Sequence, residues 1–229
     1  MCYNATASIG SFIISLLGSS FLFMRNNRDD RVFSCILFGV SIMQLGEYLI
    51  HHDLDCKHPK QLNKLGSKLG FYSHIFIQPL FALLGTIFFG TIGINGVSDS
   101  NSDSNSDGVY VYPLLALWFS LWFMYVKHAY DNYPSKKDWC SYRYPCDKTF
   151  EKIGCQLYWP WFTSIHEPLY MILVFILPIL FSKLVTHKIF WIIYVLLGPA
   201  LLLQVYPKTA GSLWCFLGPG LTIFTKMLL

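Results

Sequence analysis

Apolar runs of about 20 residues recur through this 229-residue chain, and each is long enough to cross the hydrocarbon core of a bilayer. Lipid offers no water to the backbone, so a crossing segment must satisfy its own N–H and C=O groups, as a helix does. The runs predict seven transmembrane helices, near residues 7–24, 32–50, 69–94, 109–126, 168–184, 189–206 and 211–229. The expected fold class is all-α, a polytopic transmembrane bundle of about seven helices in one integral membrane domain, 1–229.

The composition agrees with a membrane protein. Hydrophobic residues make up 54% of the chain and charged residues only 13%, whereas about a quarter of the residues in soluble domains are charged. The net charge of +4 resides in loops and forms no basic stripe interleaved with aromatic residues, so nucleic-acid binding is not expected. The opening MCYNATASIG lacks the basic residues of a signal peptide, and the first span is expected to be retained.

Two connections between the runs differ sharply. Residues 96–108 carry the repeat SDSNSDSNSDG, which has no apolar side chains to bury, so a flexible loop is expected. Residues 127–162 form a longer polar and aromatic loop that contains cysteines, and some order is expected there.

The distribution of Lys and Arg predicts the orientation of the helices. Most of these residues lie in loops on the side of the N-terminus, which the positive-inside rule places in the cytoplasm, with the C-terminus on the other side. Glycosylation at Asn4 would invert this assignment. So would disulfides among the cysteines expected on the cytoplasmic side, where thiols stay reduced: Cys56, Cys140, Cys146 and Cys155.

Polar residues at the span ends converge on one membrane face. Because consecutive helices alternate in direction, the same leaflet receives Cys2, Gln44, Glu47, His51, His74, Gln78, His128, Asp131, His166, Glu167, Gln204, Ser212 and Cys215. Helical spacing places several of them on shared faces, such as i, i+3 and i+7 for those of span two. Snorkelling to headgroups and hydrogen bonding between helices are the alternative explanation.

Glu47 carries the functional hypothesis. A carboxylate one turn inside a span costs several kcal/mol if it faces lipid, so Glu47 is expected to face the bundle. Carboxylate, imidazole and thiolate together suit zinc, with Glu47 as general base or ligand. The expected metal ligands are Cys2, His51, His74, His166 and Cys215, although no HExxH, CxxC or HxxxH motif accompanies them.

Three segments carry a family resemblance: MCYNATAS at the start, MQLGEYLIHH in span two and GSLWCF in span seven. The chain resembles a group of small multi-span membrane proteins of bacteria and large DNA viruses that open with Met-Cys and close with Ser-Leu-Trp-Cys. The resemblance implies a multi-span fold and a shared site for Cys2, Glu47 and Cys215, and it implies no activity. A weaker likeness is to alkaline ceramidase-type membrane hydrolases, whose paired histidines of the last helix this chain lacks.

Three functions are compatible with these features. The first is a lipid-modifying hydrolase, with zinc and a lipid substrate in a one-sided pocket. The second is a transporter or proton-linked channel, in which helix breakers permit motion, namely Pro79, Pro178, Pro199, Gly218 and Pro219. The third is a structural membrane protein without catalysis. A channel needs polar positions that continue to the opposite leaflet, so the one-sided distribution favours a pocket.

Overall fold

The computed structural model describes residues 5–25, 27–54, 61–89, 111–131, 141–143, 157–158 and 166–181. These residues form five helices: α1 (Ala5–Met24), α2 (Arg28–His51), α3 (Gln61–Phe89), α4 (Val111–Asp131) and α5 (residues 166–181). The all-α class is confirmed for this part of the chain. Beside the helices there is a short antiparallel pair of strands, β1 (Tyr142–Arg143) and β2 (Leu157–Tyr158), inside the long loop for which order was expected.

Several sequence predictions lie outside the described residues. They are the spans at 189–206 and 211–229, the loop at 96–108, the sequon at Asn4, and the cysteines Cys2, Cys56, Cys140, Cys146, Cys155 and Cys215. The count of seven spans therefore stays a prediction.

Three of the helices are long and apolar enough to cross a membrane. α1, α2 and α3 have 20, 24 and 29 residues, and their most apolar stretches have mean hydropathies of 1.8, 1.6 and 1.5. α4 and α5 coincide in position with the fourth and fifth predicted spans, and the apolar part of α5 covers Pro168–Leu180. The length and apolarity of the first three helices are thus those of an integral membrane protein.

Two helices begin earlier than the apolar runs indicated. α2 starts at Arg28 rather than at residue 32, because the side chain of Asn27 accepts a hydrogen bond from the backbone N–H of Asp29 at 2.9 Å and caps the helix. α3 starts at Gln61 rather than at residue 69. Its first turns expose lysines on one face and bury small or polar residues on the other, at Asn63, Gly66, Ser67 and Gly70.

α1 and α2 pack through small side chains. The buried face of α1 consists of Ser8, Ser11, Ser15, Gly18, Ser19 and Leu22. Near the turn between the helices, the hydroxyl of Ser19 donates to the carbonyl of Ser34 at 2.9 Å, and the hydroxyl of Ser34 donates to the carbonyl of Ser19 at 2.7 Å. Small residues let membrane helices approach closely, and hydroxyls then bond across the interface.

α2 and α3 approach even more closely, through glycines. A methyl group added at Gly66 would lie 2.5 Å from the carbonyl oxygen of Gly46, and one added at Gly46 would lie 3.0 Å from that of Gly66. Neither position has room for a side chain. The two backbones are therefore in direct contact beside Glu47.

α3 and α5 each contain one π-helical segment, at Ser73–Ile77 and Ile172–Ile176. In both helices a proline follows two residues later, Pro79 or Pro178. Proline has no N–H to donate and its ring clashes with the carbonyl one turn earlier, which a locally widened helix relieves. In α3 the carbonyl of Ile75 instead accepts a hydrogen bond from the indole N–H of Trp122 at 2.7 Å.

Candidate functional site

A buried histidine on α3 joins three helices. The Nδ1 atom of His74 lies 2.5 Å from the hydroxyl oxygen of Tyr125 on α4. Its ring lies against the ring of Tyr170 on α5, with 4.0 Å between the centroids and 34° between the planes. All three side chains are buried. The contact between Nδ1 and the phenol fixes the position of the imidazole relative to α4.

Gln78, one turn after His74, extends this network towards α2. Its amide oxygen accepts a hydrogen bond from the hydroxyl of Tyr170, and its amide nitrogen donates to the hydroxyl of Ser73 at 3.3 Å and to the sulfur of Met43 at 3.7 Å. The hydroxyl of Ser73 donates in turn to the carbonyl of Gly39 at 3.3 Å. The network therefore runs from α5 across α3 to α2, along the π-helical segment of α3.

Gln44 and Glu47 lie on one face of α2, spaced by three residues, and both are 0% exposed. Neither amide atom of Gln44 has a hydrogen-bond partner among the residues that the structure describes. A buried amide without a partner costs on the order of 1–3 kcal/mol in a protein. The amide of Gln44 is therefore a group that needs a functional explanation, and the fully buried carboxyl group of Glu47 is its neighbour on the same face.

The predicted site residues fall into two groups. Glu47 and His74 are buried as expected, as is Gln78, while His51 is half-buried at the last residue of α2. His166 is the first residue of α5, but its side chain, like Cys2 and Cys215, lies outside the described part. Of the other polar residues expected in this leaflet, His128 is half-buried and Asp131 is exposed.

Metal binding finds no support in the described residues. Across the described ranges, no three side chains of His, Cys, Asp or Glu come close enough together to hold a metal ion. Zinc therefore stays a prediction that depends on Cys2, His166 and Cys215 as well as on Glu47, His51 and His74.

Tyr125 and Tyr170 are the site residues that the sequence analysis missed. Tyr125 is the penultimate residue of the predicted span 109–126 and Tyr170 is the third residue of the span 168–184, where an aromatic belt accounts for a tyrosine. A buried phenol usually has a hydrogen-bond partner, but the sequence did not distinguish these two tyrosines from those of a belt.

A second polar cluster connects α3 to the long loop. The amide of Asn63 bonds both backbone groups of Ser141: its nitrogen donates to the carbonyl at 2.9 Å, and its oxygen accepts from the N–H at 3.0 Å. The hydroxyls of Ser67 and Ser141 lie 2.9 Å apart, and all three residues are buried. Asn63 also donates to the carbonyl of Asp53, beyond the end of α2. This cluster holds the start of β1 against the helix ends on the side of Glu47.

No protein-family model matches the chain, and no curated protein or solved structure is significantly similar to it.

Proposed function

We propose that this membrane protein acts on a lipid in a one-sided intramembrane site, with Glu47 as the general base of a hydrolytic reaction. The observation that carries the proposal is the pair Gln44 and Glu47, fully buried on one face of a membrane-crossing helix, with the amide of Gln44 unpartnered among the described residues.

The depth of the pair supports a lipid substrate. With a rise of 1.5 Å per residue, Glu47 lies about 6 Å and Gln44 about 10 Å from the end of α2 at His51. The headgroup region on each side of a bilayer is about 5–8 Å thick, so this depth is where headgroups join acyl chains. The ester or amide bonds of lipids lie at that level.

The chemistry assigned to Glu47 is proton transfer. The carboxylate takes a proton from water, the water oxygen bonds to the carbonyl carbon of the lipid, and the ester or amide bond breaks as Glu47 returns the proton to the leaving group. Gln44 offers both a donor and an acceptor to orient the polar part of the lipid. His74 supplies a buried imidazole on α3, held in contact with the hydroxyl of Tyr125.

Zinc forms part of the proposal through its ligand types. Imidazoles of His51, His74 and His166 and thiolates of Cys2 and Cys215 are suitable donors, and bound zinc would polarise the carbonyl. Elemental analysis of the purified protein tests this part separately, because stoichiometric zinc is expected only if the site holds it.

The test of the function is lipid turnover by the detergent-purified protein. We expect release of a fatty acid or headgroup from one member of a panel of glycerolipid esters and sphingolipid amides. Glu47→Gln should lower turnover by about 10²-fold or more, in the range of a lost general base. The matched control is Asp131→Asn, at an exposed carboxylate at the end of α4, which should leave turnover unchanged. No turnover by the wild-type protein, or equal turnover by Glu47→Gln, would reject the proposal.

A transporter is the second candidate, and the paired π-helical segments favour it. α3 and α5 have the same sequence of a π segment followed by proline, and Tyr170 and Gln78 connect them. Interrupted helices that line a central site are typical of transporters. Uptake of protons or solute into proteoliposomes, absent for Glu47→Gln, would support this function over hydrolysis.

A further inference from the structure

A groove of about 360 Å³ opens between α1, α2 and α3, at the opposite end of α2 from Glu47. Its walls are mainly apolar and are formed by Phe23, Met24, Cys35, Phe38 and Phe81, with Ser20 at one edge. Cys35 and Glu47 are 12 residues apart on α2, a distance of about 18 Å along the helix. The groove is therefore separate from the site proposed above.

The base of the groove suits hydrocarbon rather than a polar ligand. Ser19 and Ser34 line it, but each hydroxyl donates to the carbonyl of the other residue. Their donor hydrogens are used within the helix pair. The aromatic and thioether side chains around them offer surface for van der Waals contact with an apolar chain.

Two arginines lie towards the membrane surface from the groove. Arg28, Arg31, Cys35 and Phe38 are spaced i, i+3, i+7 and i+10, so they share one face of α2. The guanidinium of Arg31 lies over the ring of Phe23, a wall residue, at 5.8 Å from its centroid. Its Nε donates to the carbonyl of Phe23 at 3.3 Å, which uses one of the five N–H donors of the guanidinium. Of the two acidic residues in this turn, Asp30 pairs with Arg25 and Asp29 is buried, so the charge on the groove's side of the turn is that of Arg28 and Arg31. The mouth of the groove is thus cationic.

We infer that this groove binds an anionic phospholipid, with one acyl chain between Phe23, Phe38 and Phe81 and the phosphate at Arg28 and Arg31. The charge of the mouth complements a phosphate, and the apolar walls complement the chain attached to it. The arginines lie at the N-terminal turn of a membrane-crossing helix, at the level where headgroups occur. Arg25, the third arginine of this turn, pairs with Asp30 at 3.1 Å and supports the turn rather than the lipid.

Native mass spectrometry of the full chain tests the inference. The protein is released from detergent that contains equal amounts of phosphatidylglycerol and phosphatidylcholine. The wild-type protein should retain one phosphatidylglycerol in preference to phosphatidylcholine. Replacing Arg28 and Arg31 by Gln should weaken retention by about fivefold for each arginine removed. The control Lys127→Gln, which removes an exposed charge on α4, should retain lipid as the wild type does.

A second variant tests the acyl-chain part without removing charge. Ser20 is exposed at the edge of the groove, and its hydroxyl bonds only the carbonyl of Leu16 in its own helix, so Ser20→Phe should fill the groove without disturbing the fold. Its matched control is Ser120→Phe, at an exposed serine with the same intrahelical bond on α4. Loss of phosphatidylglycerol from Ser20→Phe but not from Ser120→Phe supports the inference. Equal retention by both variants, or equal retention of the two lipids, would overturn it. So would a wild-type dimer that Ser20→Phe separates into monomers without lipid loss, because a second copy of the chain would then occupy the groove.

Discussion

The hydroxyl of Tyr170 donates a hydrogen bond to the amide oxygen of Gln78, and this bond crosses between the two helices that carry π-helical segments. Both residues are fully or almost fully buried. The bond gives the two interrupted helices a polar connection at the level of the candidate site, where an apolar contact alone would leave their relative rotation free.

Removing that hydroxyl should loosen the contact between α3 and α5. Tyr170→Phe keeps the ring on His74 but leaves the buried oxygen of Gln78 without its donor, at a cost of about 1–3 kcal/mol. A lower unfolding temperature in detergent is expected. Tyr112→Phe, at an exposed tyrosine on α4, serves as the control and should melt as the wild type does. Equal melting of both variants would show that the bond contributes nothing to the fold.

Gln44 and Gln78, both buried, should respond in opposite ways to the same substitution. Gln78→Leu removes an amide with three bonded partners and should destabilise the protein by about 1–3 kcal/mol. Gln44→Leu removes an amide without a partner among the described residues, so stability should be unchanged or higher. If Gln44 orients the lipid, turnover should fall in the same variant. Destabilisation by Gln44→Leu as large as that by Gln78→Leu would count against a ligand-binding role.

The contact between α2 and α3 should be intolerant of a single methyl group. In Gly66→Ala the new carbon would lie 2.5 Å from the carbonyl oxygen of Gly46, so the helices must separate, at a cost of about 1–3 kcal/mol or more. Thermal unfolding measures this cost. Gly10→Ala is the matched control, because nothing lies within 4 Å of the added carbon and alanine favours the helix by about 1 kcal/mol. A Gly66→Ala protein as stable as the wild type would mean that the glycine contact is not needed.

Asn63 should control the order of the long loop at Ser141. Asn63→Ala removes the acceptor and donor that hold both backbone groups of Ser141, so the N–H of Ser141 should exchange faster with deuterated solvent. Lys64→Ala, on the exposed face of the same turn, should leave that exchange rate unchanged. Unaltered exchange in Asn63→Ala would assign the protection to Ser67 instead, which also accepts from this N–H at 3.1 Å.

Apolarity and helical spacing were enough to predict the first five helices and the burial of Glu47, His74 and Gln78. They did not reveal the early start of α3, because its buried face there consists of Asn63, Gly66, Ser67 and Gly70, and none of these residues is apolar and large. The close approach of the glycines depends on the partner helix. Apolar periodicity within one segment carries no information about that neighbour.

The site was predictable only in part, for a related reason. Glu47 indicates a site by itself, since a carboxylate within a span is costly in lipid and is expected to face the interior of the bundle. Tyr125 and Tyr170 become informative only once His74 and Gln78 are known to face them. The prolines were predicted to interrupt their helices, but the π-helical segments before Pro79 and Pro178 were not predicted. These segments relieve the clash between a proline ring and the preceding turn, and hydropathy carries no information about that clash.

The unequal lengths of α1 and α3 have a consequence for hydrophobic mismatch. At 1.5 Å per residue, the 20 residues of α1 span about 30 Å, close to the hydrocarbon thickness of a typical bilayer, whereas the 29 residues of α3 span about 43 Å. The surplus is the amphipathic first part of α3, which carries Asn63 and two exposed lysines, Lys64 and Lys68. The described residues of α1 and α3 therefore match different hydrocarbon thicknesses. Because serines hold α1 to α2, the helices fit a common bilayer only if α3 tilts or if its lysine-bearing first part lies outside the hydrocarbon.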